Sequence, residues 1–136
     1  MPYSYELRIS IMRIARQLRS NNIDGDVAEN QRSVLFYLLD HEAASLGEIA
    51  EHEKVTPPSI NRTINALEVA GYIVRATSAK DARKVAITLT NKGQLWARET
   101  RRQRDAWFAS RISSLTFEER EILEQAAPIF KKLADS

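Results

Sequence analysis

Val55-Thr56-Pro57-Pro58-Ser59-Ile60-Asn61-Arg62-Thr63-Ile64-Asn65-Ala66-Leu67-Glu68-Val69-Ala70-Gly71-Tyr72-Ile73-Val74-Arg75 leads into a polar stretch holding Lys80-Asp81-Ala82-Arg83-Lys84. Val85-Ala86-Ile87-Thr88-Leu89-Thr90-Asn91-Lys92-Gly93 follows. Thr56 reads as a helix N-cap, and Pro57 suits the first helical position because its missing amide would be unpaired there. Pro58 comes next, so the Thr56 side chain can reach only the amide of Ser59. Ile60, Ile64 and Leu67 fall on one helical face. Gly71 supplies a left-handed stop. Tyr72 to Arg75 reads as a strand. Val85, Ile87 and Leu89 alternate with Lys84, Ala86 and Thr88, the period of a half-buried strand. Thr90 caps another helix. A capped helix, a strand, a basic loop, a strand and a helix cap make up a winged helix-turn-helix, which lays one helix in the major groove and a hairpin beside it.

The flanking sequence supplies the rest of such a module. Ser45-Leu46-Gly47-Glu48 is a capping box. It opens a short helix ending near Glu53, with Leu46, Ile49 and Ala50 inward, and Lys54-Val55 makes the turn. Ala28 to Asp40 is expected to be a helix burying Val34, Leu35, Leu38 and Leu39. Ser20 to Asp26 is a linker of turn-forming residues. Tyr3 to Ser20 carries Leu7, Ile11, Ile14 and Leu18 at helical spacing. The helix capped by Thr90 should reach about Arg111. Thr116 and Glu119 form a second capping box, after which Ile122, Ala126, Ile129, Phe130 and Leu133 face one way. Pro128 should kink or shorten that last helix. The expected fold is mainly α with a small β-wing.

The whole chain of 136 residues fits one domain with helical extensions, and its 28% charged and 43% hydrophobic residues suit a water-exposed protein with a real core. No run approaches the roughly 18 apolar residues of a membrane span, and no secretory leader is visible, so a cytoplasmic location without membrane contact is expected. With no cysteine, disulfides, thiolate metal sites and thiol redox switches are excluded. His52 lies four residues after Glu48, but no third ligand is placed beside them, so no metal site is expected. No nucleophile–base pair or phosphate loop is present. Neither an enzyme nor a cofactor is expected. Arg98, Arg101, Arg102 and Arg104 read as a solvated basic face.

Net charge is only +2, yet Arg75, Lys80, Arg83 and Lys84 stand against Asp81 alone in the hairpin. Clustered positive charge there points to a polyanion. The outer face of the helix over 56–70 carries Ser59, Asn61, Arg62, Thr63 and Asn65 where a solvent face would carry Glu and Lys. Short hydrogen-bonding side chains and a guanidinium are the set that reads base edges and grips phosphates. The candidate DNA contacts are therefore Thr56, Pro58, Ser59, Asn61, Arg62 and Asn65 on the helix, with Arg75, Lys80, Asp81, Arg83 and Lys84 in the wing. A winged-helix protein-interaction module without DNA binding is the competing class, and it would need an apolar or acidic face at these positions.

In order and spacing, Ser59-Ile60-Asn61-Arg62, Leu67-Glu68-Val69-Ala70-Gly71, Asp81-Ala82-Arg83 and Leu89-Thr90-Asn91-Lys92-Gly93 resemble the MarR family of bacterial winged-helix transcription regulators. The resemblance covers nearly the whole chain. It implies a double-stranded DNA operator as partner and a homodimer as the working form. It also implies a small aromatic or phenolic effector, whose binding residues and identity the sequence does not give. By position, Arg83 resembles the wing-tip arginine that enters the minor groove, Asp81 the acid that holds it, and Arg62 the recognition-helix arginine at the backbone or a base edge. The chain departs from the pattern at Ala82, where many members have a second arginine, and at Val27-Ala28, where a Leu-Thr pair often opens the second helix. The expected layout is a dimerisation helix and linker over 1–26, the DNA-binding domain over 27–90, and dimerisation helices over 91–136. The stripes Leu7, Ile11, Ile14 and Leu18, and Ile122, Ala126, Ile129, Phe130 and Leu133, would be covered by a partner's matching helices.

Overall fold

The computed structural model describes residues 1–20, 27–77, 81 and 83–136. In chain order the elements are α1 (Pro2–Ser20), α2 (Glu29–Asp40), α3 (Leu46–Glu53), α4 (Pro57–Val69), β1 (Ile73–Thr77), β2 (Val85–Leu89), α5 (Asn91–Ser113) and α6 (Phe117–Ala134). The expected mainly helical fold with a two-stranded wing is what forms. The linker expected after Ser20, and Lys80 in the wing, lie outside the described residues.

Local chemistry sets the helix starts. The Ser45 hydroxyl accepts from the Glu48 amide at 3.1 Å while the Glu48 carboxylate accepts from the Ser45 amide at 3.2 Å. Thr116 and Glu119 repeat this reciprocal pattern at α6. Ala28 has no side-chain acceptor, so α2 begins one residue late, and only the Gln31 side chain reaches back to the Ala28 amide. Lys54 makes the turn between α3 and α4 in the left-handed conformation, φ 58°. It aims its own amide at the Glu51 carbonyl and that of Val55 at Ala50.

The chain divides into two units, Asn22–Arg102 and Met1–Asn21 with Gln103–Ser136. The first has a closed core: Val34, Leu35 and Leu38 of α2, Ile49 and Ala50 of α3, Ile60, Ile64 and Leu67 of α4, with Tyr72, Ile73 and Ile87 from the wing root. β1 and β2 pair antiparallel from Ile73↔Leu89 to Thr77↔Val85. Ala44 adds a one-residue third strand, exchanging both backbone hydrogen bonds with Ile87 at 3.1 and 2.8 Å. Of the β2 residues expected inward, Ile87 is buried but Val85 is 53% exposed, because the hairpin leaves the core towards its tip. Both histidines lie against the Tyr37 ring, His41 at 4.1 Å and His52 at 4.4 Å between centroids. Arg101 is not a merely solvated charge: it donates to both Asp40 oxygens at 2.8 and 2.9 Å and lies over the Phe36 ring, tying α5 to α2. That contact holds the Asp40 carboxyl below its usual range.

In the second unit no residue of α1 or α6 is buried. Ile11, Ile14 and Leu18 of α1, Phe108 and Ile112 of α5, and Leu123, Ala127 and Phe130 of α6 line an apolar groove of about 720 Å³. Of the expected α6 stripe, Phe130 lines this groove, joined by Leu123 and Ala127. Ile122, Ile129 and Leu133 are more exposed, at 64%, 62% and 60%. α6 is not shortened by Pro128 and runs on to Ala134. The one carbonyl that loses its amide partner belongs to Glu124, an exposed residue that water can solvate.

Gly93 is buried, and a Cβ there would overlap the Tyr72 carbonyl oxygen and come within 3.1 Å of Leu89 Cδ2, whereas a Cβ on Gly47 meets nothing within 4 Å. Gly93→Ala is expected to destabilise the fold by about 1–3 kcal/mol, the cost of overpacking. Gly47→Ala, inside α3, should stabilise by about 0.5–1 kcal/mol. Urea unfolding of the two variants checks the opposite signs.

Candidate nucleic-acid interface

α4 is held by its inner face and offers the outer one. Thr56 Oγ1 accepts from the Ser59 amide at 3.3 Å, the reach expected from the two intervening prolines. Pro57 and Pro58 have no amide, and the Ile60 amide is bound to the Thr56 carbonyl at 3.0 Å. Of the first four amides of α4, two are missing and two are engaged, which leaves the Thr56 and Ser59 hydroxyls as side-chain groups able to meet a phosphate there. Asn61, Arg62 and Asn65 are exposed, as are Thr56 and Pro58, and Ser59 is half-buried. Thr63 departs from the expectation. It is 8% exposed, accepts from Asn30 Nδ2 at 3.2 Å, and donates to the Ser59 carbonyl at 3.5 Å. It pins α4 to α2 and takes no place on the outer face.

In the wing, the Asp81 carboxylate accepts from the Arg83 amide at 3.0 Å and from Arg83 Nε at 3.3 Å. Asp81 is largely shielded at 30% side-chain exposure while Arg83 stands out at 92%. The guanidinium is therefore presented on a short tether to a partly shielded acid. Lys84 is exposed, and its amide closes a turn onto the Asp81 carbonyl at 3.0 Å. An open cavity of about 660 Å³, lined by Ser45, Glu48, Asn61, Arg75 and Lys84 among others, separates the start of α3 from the wing. The Ser45 amide and then its hydroxyl hold the Glu48 carboxyl below its usual range, and the charges of His41 and Lys84 act in the same direction. Glu48 thus stays anionic beside the basic wing.

Arg75 is engaged from two sides. Its Nη1 donates to Glu68 Oε1 at 3.3 Å, its backbone amide points at Glu68 Oε2 at 3.4 Å, and its Nη2 donates to Asn61 Oδ1 at 3.0 Å. Glu68 was not among the expected site residues. Its signal in the sequence is an acid and a base placed on either side of the Gly71 turn, a spacing that brings them face to face once the strand folds back. Among the described residues no group of three or more His, Asp or Glu could hold a metal, and no helix is long and apolar enough to cross a membrane.

Known proteins are similar to this chain in sequence and in fold. The MarR family model matches residues 27–85. An HTH-type transcriptional regulator of Mycobacterium bovis is 35% identical over 130 residues, covering 96% of this chain and 91% of the relative. The HTH-type transcriptional repressor MdtR of Bacillus subtilis is 29% identical over 135 residues, covering 96% of this chain and 85% of the relative. A substituted form of Staphylococcus aureus MepR bound to an oligodeoxyribonucleotide is similar with a TM-score of 0.69 at 25% identity, over 98% of this chain and 96% of that one. These likenesses do not favour the protein-interaction alternative. With its capped α4, its wing and its likeness to these regulators along nearly its whole length, the chain belongs to the MarR family of DNA-binding transcriptional regulators.

Proposed function

We propose that this regulator is a cytoplasmic repressor that works as a homodimer on a pseudo-palindromic operator, with 27–90 reading DNA and 1–26 and 91–136 forming the dimer. The observation that carries the reading of DNA is the exposed polar face of α4 beside an outstretched, acid-tethered Arg83. Two such modules related by a two-fold axis would present two recognition helices to successive major grooves. The apolar groove of the terminal helices supports a second copy as its cover, because water-exposed Ile11, Ile14 and Phe130 gain by leaving solvent. Likeness to a repressor supports repression, by occupying the promoter. A small aromatic or phenolic effector that releases the DNA completes the proposal on family grounds.

Sedimentation at micromolar concentration is expected to give twice the monomer mass, and Phe130→Asp should shift it towards monomer. A wild-type chain sedimenting only as monomer would refute the dimer.

Arg62→Ala is expected to weaken operator binding by about 1–3 kcal/mol if the guanidinium reads a base. A phosphate contact would instead weaken operator and random duplex alike and lower the salt slope. Unchanged affinity for both duplexes would mean that α4 does not face DNA.

The wing gives a test by sign. Arg83→Ala should leave the dimer intact and sharply weaken binding, since a narrow minor groove attracts an inserted guanidinium. Arg83→Lys should restore only part, lacking the planar fork. Asp81→Ala removes a negative charge near DNA, so simple electrostatics predicts tighter binding, while loss of the tether predicts weaker binding. Titration at fixed salt is expected to show weaker binding, and tighter binding would refute the positioning role of Asp81.

A further inference from the structure

Among the described residues, Asn61 is the exposed polar residue of α4 whose side-chain orientation is dictated from behind. A guanidinium has donors and no acceptor, so the carboxamide atom 3.0 Å from Arg75 Nη2 must be the oxygen. The Asn61 NH₂ group is thereby left for the solvent side. Arg75 is itself held: Glu68 takes Nη1 at 3.3 Å and the Arg75 backbone amide at 3.4 Å, which fixes the plane of the fork. The Arg75 and Glu68 side chains are only 28% and 39% exposed, so the bracket is shielded on its inner side.

We infer that Glu68 and Arg75 are positioning residues that make Asn61 a donor-only reader, selecting guanine over adenine at one position of each half-site. Guanine shows two acceptors, N7 and O6, on its major-groove edge. Adenine's N7 and N6 call for an acceptor and a donor side by side, whereas Arg75 takes one lone pair of the Asn61 oxygen and holds that oxygen towards itself, so the NH₂ group is what Asn61 presents. The inference rests on the proposal that α4 enters the major groove. It also changes the part assigned to Arg75, from a direct contact with DNA to a support for its neighbour.

The test is selection from a pool of randomised duplexes by the wild-type dimer and by Asn61→Ala, Glu68→Ala and the double variant, each checked by thermal unfolding. The wild type is expected to enrich guanine over adenine by about fivefold or more at one position per half-site. Asn61→Ala should flatten that position alone. Glu68→Ala should flatten the same position, and the double variant should do no more than either single one. If Glu68→Ala fails to fold, Glu68→Gln carries the test with the same expected flattening, since it loses the charge that pins the guanidinium.

An enriched adenine that disappears in Asn61→Ala overturns the inference. So does a Glu68→Ala profile that keeps its base preference while all duplexes bind more tightly, the outcome if Glu68 merely competes with phosphate for Arg75. Either result leaves the reading of DNA by α4 standing. A wild-type chain that enriches no sequence would overturn that reading, and this inference with it.

Discussion

One hydroxyl fixes the junction on which the winged module depends. Thr90 Oγ1 donates to the Gly71 carbonyl at 2.6 Å and accepts from the Gly93 amide at 3.1 Å, while the Thr90 amide donates to the Tyr72 carbonyl at 3.0 Å. The end of α4, the root of the hairpin and the start of α5 are thus tied at one point. Gly71 turns the chain with φ 86°, and Gly93 lets the α5 backbone approach Tyr72 without a side chain between them. Lys92 closes the knot from outside, donating to the Ala70 carbonyl at 2.8 Å and lying 4.5 Å from the Tyr72 ring centroid. A cation suits that place, where the unpaired carbonyls of α4 gather negative charge.

From this knot the geometry of the interface follows. With Ile73 set opposite Leu89, the two-residue period of the ladder decides which wing residues face the core and which stand clear. Ile87 is the residue that commits the wing to the core, through its burial and its bridge to Ala44 just before α3. α3, α4 and the hairpin therefore share one frame. Thr63 and Asn30 add a polar pin between α4 and α2, so that the recognition helix is anchored by a directional bond as well as by its apolar stripe.

What was legible in the sequence was local chemistry with a fixed spacing. The capping boxes at Ser45 and Thr116, the Thr56 cap across two prolines and the Gly71 stop all depend on residues within four positions of one another, and each forms as expected. The Asp81–Arg83 contact is of the same kind. Contacts set by the tertiary arrangement were not legible. Thr63 looked solvent-facing by polarity, but a hydroxyl with two partners can be buried as comfortably as a methyl. The Ala44 bridge spans more than forty residues and has no strand-like run around it. For α6, the expected stripe of Ile122, Ala126, Ile129, Phe130 and Leu133 meets the groove at Phe130, and periodicity alone does not say that Leu123 and Ala127 join it there.

The chain has two tryptophans, and each unit holds one. Trp96 lies between Phe36 and Tyr72, at centroid distances of 5.8 and 6.3 Å, with its indole nitrogen buried and lacking a hydrogen-bond partner in the described residues. Trp107 stands in the other unit, with the Arg111 guanidinium 4.8 Å from its ring centroid. Both indoles are partly buried, but one packs between two aromatic rings and the other lies beside a cation, so they emit differently. The protein thus carries a separate intrinsic fluorophore for each of its units, and single-tryptophan variants can follow the DNA-reading unit and the terminal helices independently, without any added dye.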